Sequence, residues 1–168
     1  MGGRRLNSLT LLAAALALAA TPASAHVAFV KRQVPLASTV ESMLRVPHGC
    51  NGSPTVRLRM RLPKAVTAIR PQPKEGWSVS VSGEGGAREV AWSGNLPAKQ
   101  TGEFPFAMDL DASVKAGDIL FFPLVQECEK GVARWIDVKG RPSADAPEEE
   151  QHDDATSPAP SIRFLPRK

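Results

Sequence analysis

The sequence predicts an all-β fold, because short β-prone runs alternate with turn residues and no stretch repeats apolar residues at a helical period. The predicted strands are 27–33, 38–46, 55–62, 65–70, 77–82, 87–93, 102–110, 117–125 and 132–138. Gly83-Glu84-Gly85-Gly86 separates two alternating runs and predicts a hairpin loop whose glycines can adopt positive φ. Many short strands with prolines at their boundaries favour an immunoglobulin-like or fibronectin-like β-sandwich over a closed barrel.

Residues 1–25 have the layout of a cleavable secretory signal. A basic start with Arg4 and Arg5 precedes an apolar run from Leu9 to Ala20, and the small residues Ala23-Ser24-Ala25 follow. A signal peptidase is expected to cut after Ala25, so that His26 becomes the first residue of the mature chain. The apolar run is shorter than the ~20 residues that span a bilayer. We therefore expect a periplasmic or secreted protein with no transmembrane anchor.

The charge balance argues against a nucleic-acid partner. The whole chain carries a formal net charge of +4, and removal of Arg4 and Arg5 with the signal lowers it to +2. Basic residues do concentrate at Arg57, Arg59 and Arg61, but they alternate with apolar residues. This alternation is typical of a strand with one solvated face rather than of an anion-binding patch.

The chain contains two cysteines, Cys50 and Cys128. Secretion delivers both to an oxidising compartment, where such a pair is normally bridged. We expect a disulfide, which stabilises the fold by about 4 kcal/mol in the chain-entropy account. The alternative is a thiolate metal site that includes His48 and Glu127, although a dithiol is hard to keep reduced in the periplasm.

The composition changes after Gly140 to proline, serine, alanine and acidic residues, most densely in residues 146–154. Low hydrophobicity with high charge predicts a disordered acidic tail over residues 141–168, after a β-sandwich domain at 26–140. Ile162-Arg163-Phe164-Leu165 is an apolar stretch within that tail that could dock back onto the domain.

A free N-terminal histidine offers a metal ion two nitrogen donors from one residue, the α-amine and an imidazole nitrogen. Both are available near neutral pH, because their ordinary pKa values are about 8 and about 6.5. Nitrogen donors suit Cu(II), which also has the highest affinity among the common divalent ions. His26 is therefore the candidate copper ligand, and the alternative is that it is simply the frayed first residue after a cleavage site.

Four motifs, taken in order along the chain, resemble the YcnI-like copper-binding domain family. They are Ala25-His26-Val27, the segment from Arg45 to Thr55, the segment from Pro71 to Trp77, and the segment from Gly131 to Ile136. The resemblance spans residues 26–138. It implies an immunoglobulin-like sandwich, secreted or tethered to a membrane, that binds one Cu(II) at its mature N-terminus.

In the family pattern the terminal histidine supplies two nitrogens, a glutamate supplies an oxygen, and a tryptophan packs beside the ion. By position, the resemblance assigns these roles to His26 and Trp135. The family glutamate position is Gly49 here. His48, Glu127 or a water then completes the site, and His48 is the preferred replacement.

The resemblance favours a non-catalytic periplasmic copper(II) protein that acts as chaperone, buffer or delivery partner for other copper-handling proteins. No catalytic residues are predicted. One alternative is a copper monooxygenase with His48 as the second histidine of its metal site, although the chain has no tyrosine and is short for a domain with a broad substrate face. A metal-free adhesion-type sandwich is the other alternative.

Overall fold

The computed structural model describes residues 26–139 and 157–167, which form β-strands and one 3-10 turn at Gly85–Ala87. The strands are β1 (Ala28–Phe29), β2 (Gln33–Pro35), β3 (Thr39–Val46), β4 (Thr55–Arg61), β5 (Val66–Pro71), β6 (Ser78–Ser82), β7 (Glu89–Leu96), β8 (Gly102–Leu110), β9 (Ile119–Phe121), β10 (Leu124–Cys128), β11 (Val132–Asp137), β12 (Ser157–Pro158) and β13 (Ser161–Leu165). The predicted all-β class is confirmed.

The strands form a four-stranded sheet in the order β1-β3-β8-β5 and a six-stranded sheet in the order β12-β11-β10-β4-β7-β6. A three-stranded sheet, β2-β13-β9, completes the fold. Antiparallel pairing dominates, and the parallel pairs are β11 with β12 and β13 with β2. The arrangement is a β-sandwich, as the strand pattern predicts.

Buried residues from all three sheets form one hydrophobic core. Strand β8 contributes one of its faces to this core. Its even-numbered residues are buried and its odd-numbered residues are half-exposed, as expected for a strand with one face against the core. Trp92 of the six-stranded sheet meets Phe104 of the four-stranded sheet with ring centroids 5.7 Å apart. Phe29 and Phe122 make a second aromatic contact, at 5.0 Å.

Most of the predicted strands are present, but two predicted runs are interrupted. Run 27–33 is divided between β1 and β2, and run 117–125 is broken at Phe122-Pro123 between β9 and β10. Pro123 has no N–H to donate to a ladder, so a break is expected there. The hairpin loop predicted between residues 83 and 86 is confirmed, because it joins the antiparallel strands β6 and β7 and Gly83 and Gly85 both have positive φ.

The C-terminal region corrects the prediction of a disordered tail over residues 141–168. Strand β12 pairs with β11, and β13 lies between β2 and β9. Ile162 and Phe164 are completely buried in the core. Residues 140–156 and Lys168 lie outside the described residues, as does the predicted signal at 1–25. The domain therefore extends to Leu165 rather than ending near residue 140.

The predicted disulfide between Cys50 and Cys128 is confirmed, with Cα atoms 6.0 Å apart. It joins the loop after β3 to the last residue of β10, and the Cys50 amide also donates to the Cys128 Sγ at 3.0 Å. The alternative of a thiolate metal site is wrong, because both sulfurs are consumed by the bridge. In the described part of the chain, no helix has the length and apolar character needed to cross a membrane.

Candidate metal centre

His26 lies against Trp135. These are the two residues to which the family resemblance assigns roles in the metal site. Their ring centroids are 5.7 Å apart and the ring planes meet at 76°, an edge contact. His26 precedes β1, an edge strand in which Ala28 pairs with Arg45 of β3. Trp135 lies on the inner face of β11 and is only 7% exposed. The four-stranded and six-stranded sheets therefore bring the two residues together from distant parts of the sequence.

The indole of Trp135 is held by a buried glutamine that the sequence reasoning missed. Trp135 donates its Nε1–H to the Oε1 of Gln126 at 3.2 Å. Gln126 is 1% exposed, and its Nε2 donates to the main-chain oxygen of His48 and to the Thr55 Oγ1, both at 2.8 Å. One amide group therefore links β11, β4 and the loop that carries His48.

His48 lies in the loop that follows β3. Extending the β1–β3 register by two residues beyond Ala28 and Arg45 would place His26 beside Pro47, the residue before His48. The His48 ring is exposed, and its Nδ1 lies 2.7 Å from the carbonyl oxygen of Gly49. Because a carbonyl oxygen only accepts, this contact is a hydrogen bond only in the tautomer that carries its hydrogen on Nδ1, and a metal ion would then be bound through Nε2.

Glu127 does not join this group. Side chains alternate across a strand, and Gln126 faces the core, so Glu127 points to the outer face of the six-stranded sheet. There its Oε1 accepts from the Nε of Arg59 at 2.7 Å. The expectation that Glu127 could supply the oxygen ligand is therefore not supported by its position. The disulfide does bring the His48 loop to β10, but it brings that loop to Gln126.

Gly49, the position of the family glutamate, has no room for a side chain. A Cβ added there would overlap the carbonyl oxygen of Ser53 and would lie 3.1 Å from the Cα of Ala98. The Cys50 amide donates to that same Ser53 carbonyl at 3.1 Å, in the turn that presents the disulfide. The local backbone thus excludes a carboxylate at this position.

Of the protein groups assigned to the site, the donors that remain are nitrogens. Within residues 26–139 and 157–167, no cluster of three or more histidine, cysteine, aspartate or glutamate side chains is placed to hold a metal ion. A centre at this point therefore depends on a main-chain donor, and a free α-amine at His26 would supply one beside the imidazole. Cu(II) would fit such a site through a two-nitrogen chelate beside the Trp135 ring, with His48 Nε2 or a water as a further donor.

The alternation of β10 was the signal that could have revealed Gln126. Once Cys128 is taken as disulfide-bonded and therefore inward-facing, the period of two places Leu124 and Gln126 on the same face and Glu127 on the other.

The comparisons with known proteins agree with the fold and with the limits of the domain. Residues 26–164 match the family described as a domain of unknown function, DUF1775. No curated protein matches the chain. The crystal structure of an uncharacterized protein from Nocardia farcinica, described as revealing an immunoglobulin-like fold, is similar at 20% identity and a TM-score of 0.64, over 84% of this chain and 99% of that one. That likeness shows the fold. Since the family match covers most of the sequence, the chain belongs to the DUF1775 family, to which the YcnI-like domains also belong.

Proposed function

We propose that this chain is a non-catalytic copper(II)-binding protein of the periplasm or the extracellular space, which carries one Cu(II) at its mature N-terminus. The observation that supports this most directly is the contact of His26 with Trp135. The family match begins at residue 26, the residue that cleavage after Ala25 would expose. Removal of residues 1–25 is part of the proposal, because only then does His26 have a free α-amine.

The chemistry of binding rests on the two nitrogens of His26. The amine and the imidazole nitrogen can close one chelate ring, and each binds the metal only in its neutral form, so protons compete with the metal. A further donor is the Nε2 of His48 or a water. Cu(II) accepts such nitrogen-rich sets readily.

Trp135 is proposed to act as a wall beside the ion rather than as a ligand. An aromatic ring attracts a cation through its quadrupole, and the buried indole excludes water from one side of the site. A blocked side also leaves less room for dioxygen, which favours carriage of copper over oxidation chemistry. A role in chaperoning, buffering or delivery is the part of the proposal that agrees with such a site.

The decisive experiment compares two forms of the protein that differ at the N-terminus alone. One form begins at His26 and the other carries one extra residue before it, so that the second form lacks the α-amine of His26 but retains every side chain. Titration with Cu(II) is expected to give one tight site in the first form and none in the second. Electron paramagnetic resonance of the first form is expected to show nitrogen ligation.

Three single variants then assign the ligands. His26→Ala is expected to abolish the tight site, Trp135→Phe to alter the spectrum while retaining nitrogen ligation, and His48→Ala to show whether a third nitrogen is lost. Equal stoichiometry in the two N-terminal forms would overturn the terminal-amine site. Sustained peroxide release by the copper form with a reductant and oxygen would instead favour a monooxygenase.

A further inference from the structure

We infer that Gln126 is the positioning residue of this site: it fixes the indole of Trp135 beside His26 and ties that indole to the loop of His48. This inference rests on the proposed function for its effect on copper, whereas its geometric part concerns the metal-free protein. The sequence motifs do not include Gln126.

The orientation of the Gln126 amide is determined by its partners. The main-chain oxygen of His48 can only accept a hydrogen bond, so the group facing it at 2.8 Å must be the amide nitrogen. The amide oxygen then points the other way and meets the Nε1–H of Trp135, which can only donate. A flipped amide would place its nitrogen against the indole N–H, which also donates, and its oxygen against the His48 oxygen, which also accepts. Only one orientation of the amide therefore satisfies all three partners.

This arrangement determines what Trp135 can offer a metal. The only polar atom of the indole is consumed by Gln126, so the ring presents only carbon atoms to His26. Rotation of the ring would leave the indole N–H and the Gln126 oxygen unpaired in a region where Gln126 is 1% exposed. Such unpaired buried groups are costly, which holds the ring in place.

The strand that carries Gln126 is itself anchored close by. Cys128, two residues along β10, forms the disulfide with Cys50, and the Cys50 Sγ lies 3.8 Å from the main-chain oxygen of Gln126. Thr55 accepts the second hydrogen of the amide at 2.8 Å. The His48 loop, β4 and β11 are thus held in register at one point, and Trp135 takes its position from that point.

The test uses Gln126→Met, which keeps an unbranched side chain of similar length but removes the donor and acceptor. Glu127→Gln is the matched control, since it alters the adjacent residue on the other face of the same strand. In the metal-free protein, the Trp135 indole N–H is assigned by NMR with the Trp135→Phe variant. Its hydrogen exchange is expected to be at least tenfold faster in Gln126→Met, with weakened contacts between the Trp135 and His26 rings. The control is expected to match the parent protein.

The copper form supplies the second measurement. A mobile indole would no longer keep water from one side of the ion, so Gln126→Met is expected to bind Cu(II) more weakly and with an altered paramagnetic spectrum. The loss is expected to be about tenfold at most, because roughly 10- to 100-fold effects are those of partners that orient a ligand itself. Unchanged indole exchange and ring contacts in Gln126→Met would overturn the inference, as would unchanged copper affinity despite a mobile indole. If the parent protein bound no copper, the proposed function would fail, and indole exchange alone would decide whether Gln126 positions Trp135.

Discussion

Polar side chains on the inner and outer faces of the six-stranded sheet differ in their burial and in their partners. Two neighbouring residues of β10 show the contrast. Gln126, on the inner face, is buried and makes three hydrogen bonds. Glu127, on the outer face, pairs with Arg59, which also contacts Glu89, and these side chains are about a third exposed. Water can replace the outer partners but cannot reach the inner ones.

This difference determines where a specific site can be built. A buried amide with one allowed orientation fixes its partners, whereas half-exposed ion pairs tolerate rearrangement because solvent and salt compensate. The Trp135 ring that contacts His26 is held by Gln126, on the inner face. We therefore expect changes on the inner side to alter both stability and the site, and changes on the outer faces to have little effect.

The largest effect is expected at Phe164, the residue of β13 whose ring lies in the core. Phe164→Ala removes a completely buried ring from β13 and should lower the free energy of unfolding by about 3–5 kcal/mol. Arg163→Ala, at the half-buried neighbour on the other face, should cost less than about 1 kcal/mol. Chemical denaturation of both variants measures the difference. Equal losses would mean that β13 does not belong to the core.

A somewhat smaller effect is expected from restoring the family carboxylate. Gly49→Glu forces a side chain into the Ser53 carbonyl and should destabilise the protein by about 3 kcal/mol, because the turn must shift. Copper binding should not become tighter. Thermal unfolding and copper competition measure the two properties. A stable variant with tighter copper binding would show that the loop can open and that the site lacks only an oxygen ligand.

The sequence predicted the sandwich well because alternation and turn residues are local signals. Strand β8 alternates without interruption, and the glycine-rich loop before β7 marks its hairpin. The C-terminal strand was missed for a physical reason. The acidic composition of residues 146–154 dominated the segment, although residues 162–165 alternate between buried and half-buried positions. Its parallel pairing with β2 is a long-range contact that no local pattern reports.

Local signals predicted two residues of the candidate site, and contacts between distant segments account for what they missed. His26 follows from the cleavage pattern, and Trp135 from the family motif. Glu127 was a plausible ligand because it stands beside Cys128 in sequence, but a strand sends adjacent side chains to opposite faces. The steric exclusion at Gly49 could not be predicted, since it depends on the path of the Ser53 carbonyl through the turn.

A small effect is expected at Glu127, the outer partner in the comparison. Glu127→Gln weakens the pair with Arg59, in which both side chains are about a third exposed, and should change the free energy of unfolding by less than about 1 kcal/mol. Cu(II) affinity should be unchanged. Denaturation and copper titration test both expectations. A tenfold loss of copper affinity would place Glu127 in the site after all and would remove the contrast between the two faces.

The smallest effect at neutral pH is expected at Asp109, on the outer face of the four-stranded sheet. Hydrogen bonds from Arg70 and from Thr39 lower the pKa of Asp109 from 3.8 to about 2. A carboxyl group whose pKa is lower in the folded than in the unfolded protein stabilises the fold above the unfolded pKa, and this contribution is lost as the pH falls from about 4 towards about 2. Asp109→Asn should therefore unfold at a slightly lower temperature than the parent at pH 7, and the two melting temperatures should converge near pH 2. Melting curves at several pH values between these limits test the sign, and a constant difference across the whole range would show that the Arg70 pair does not set the acid sensitivity of this face.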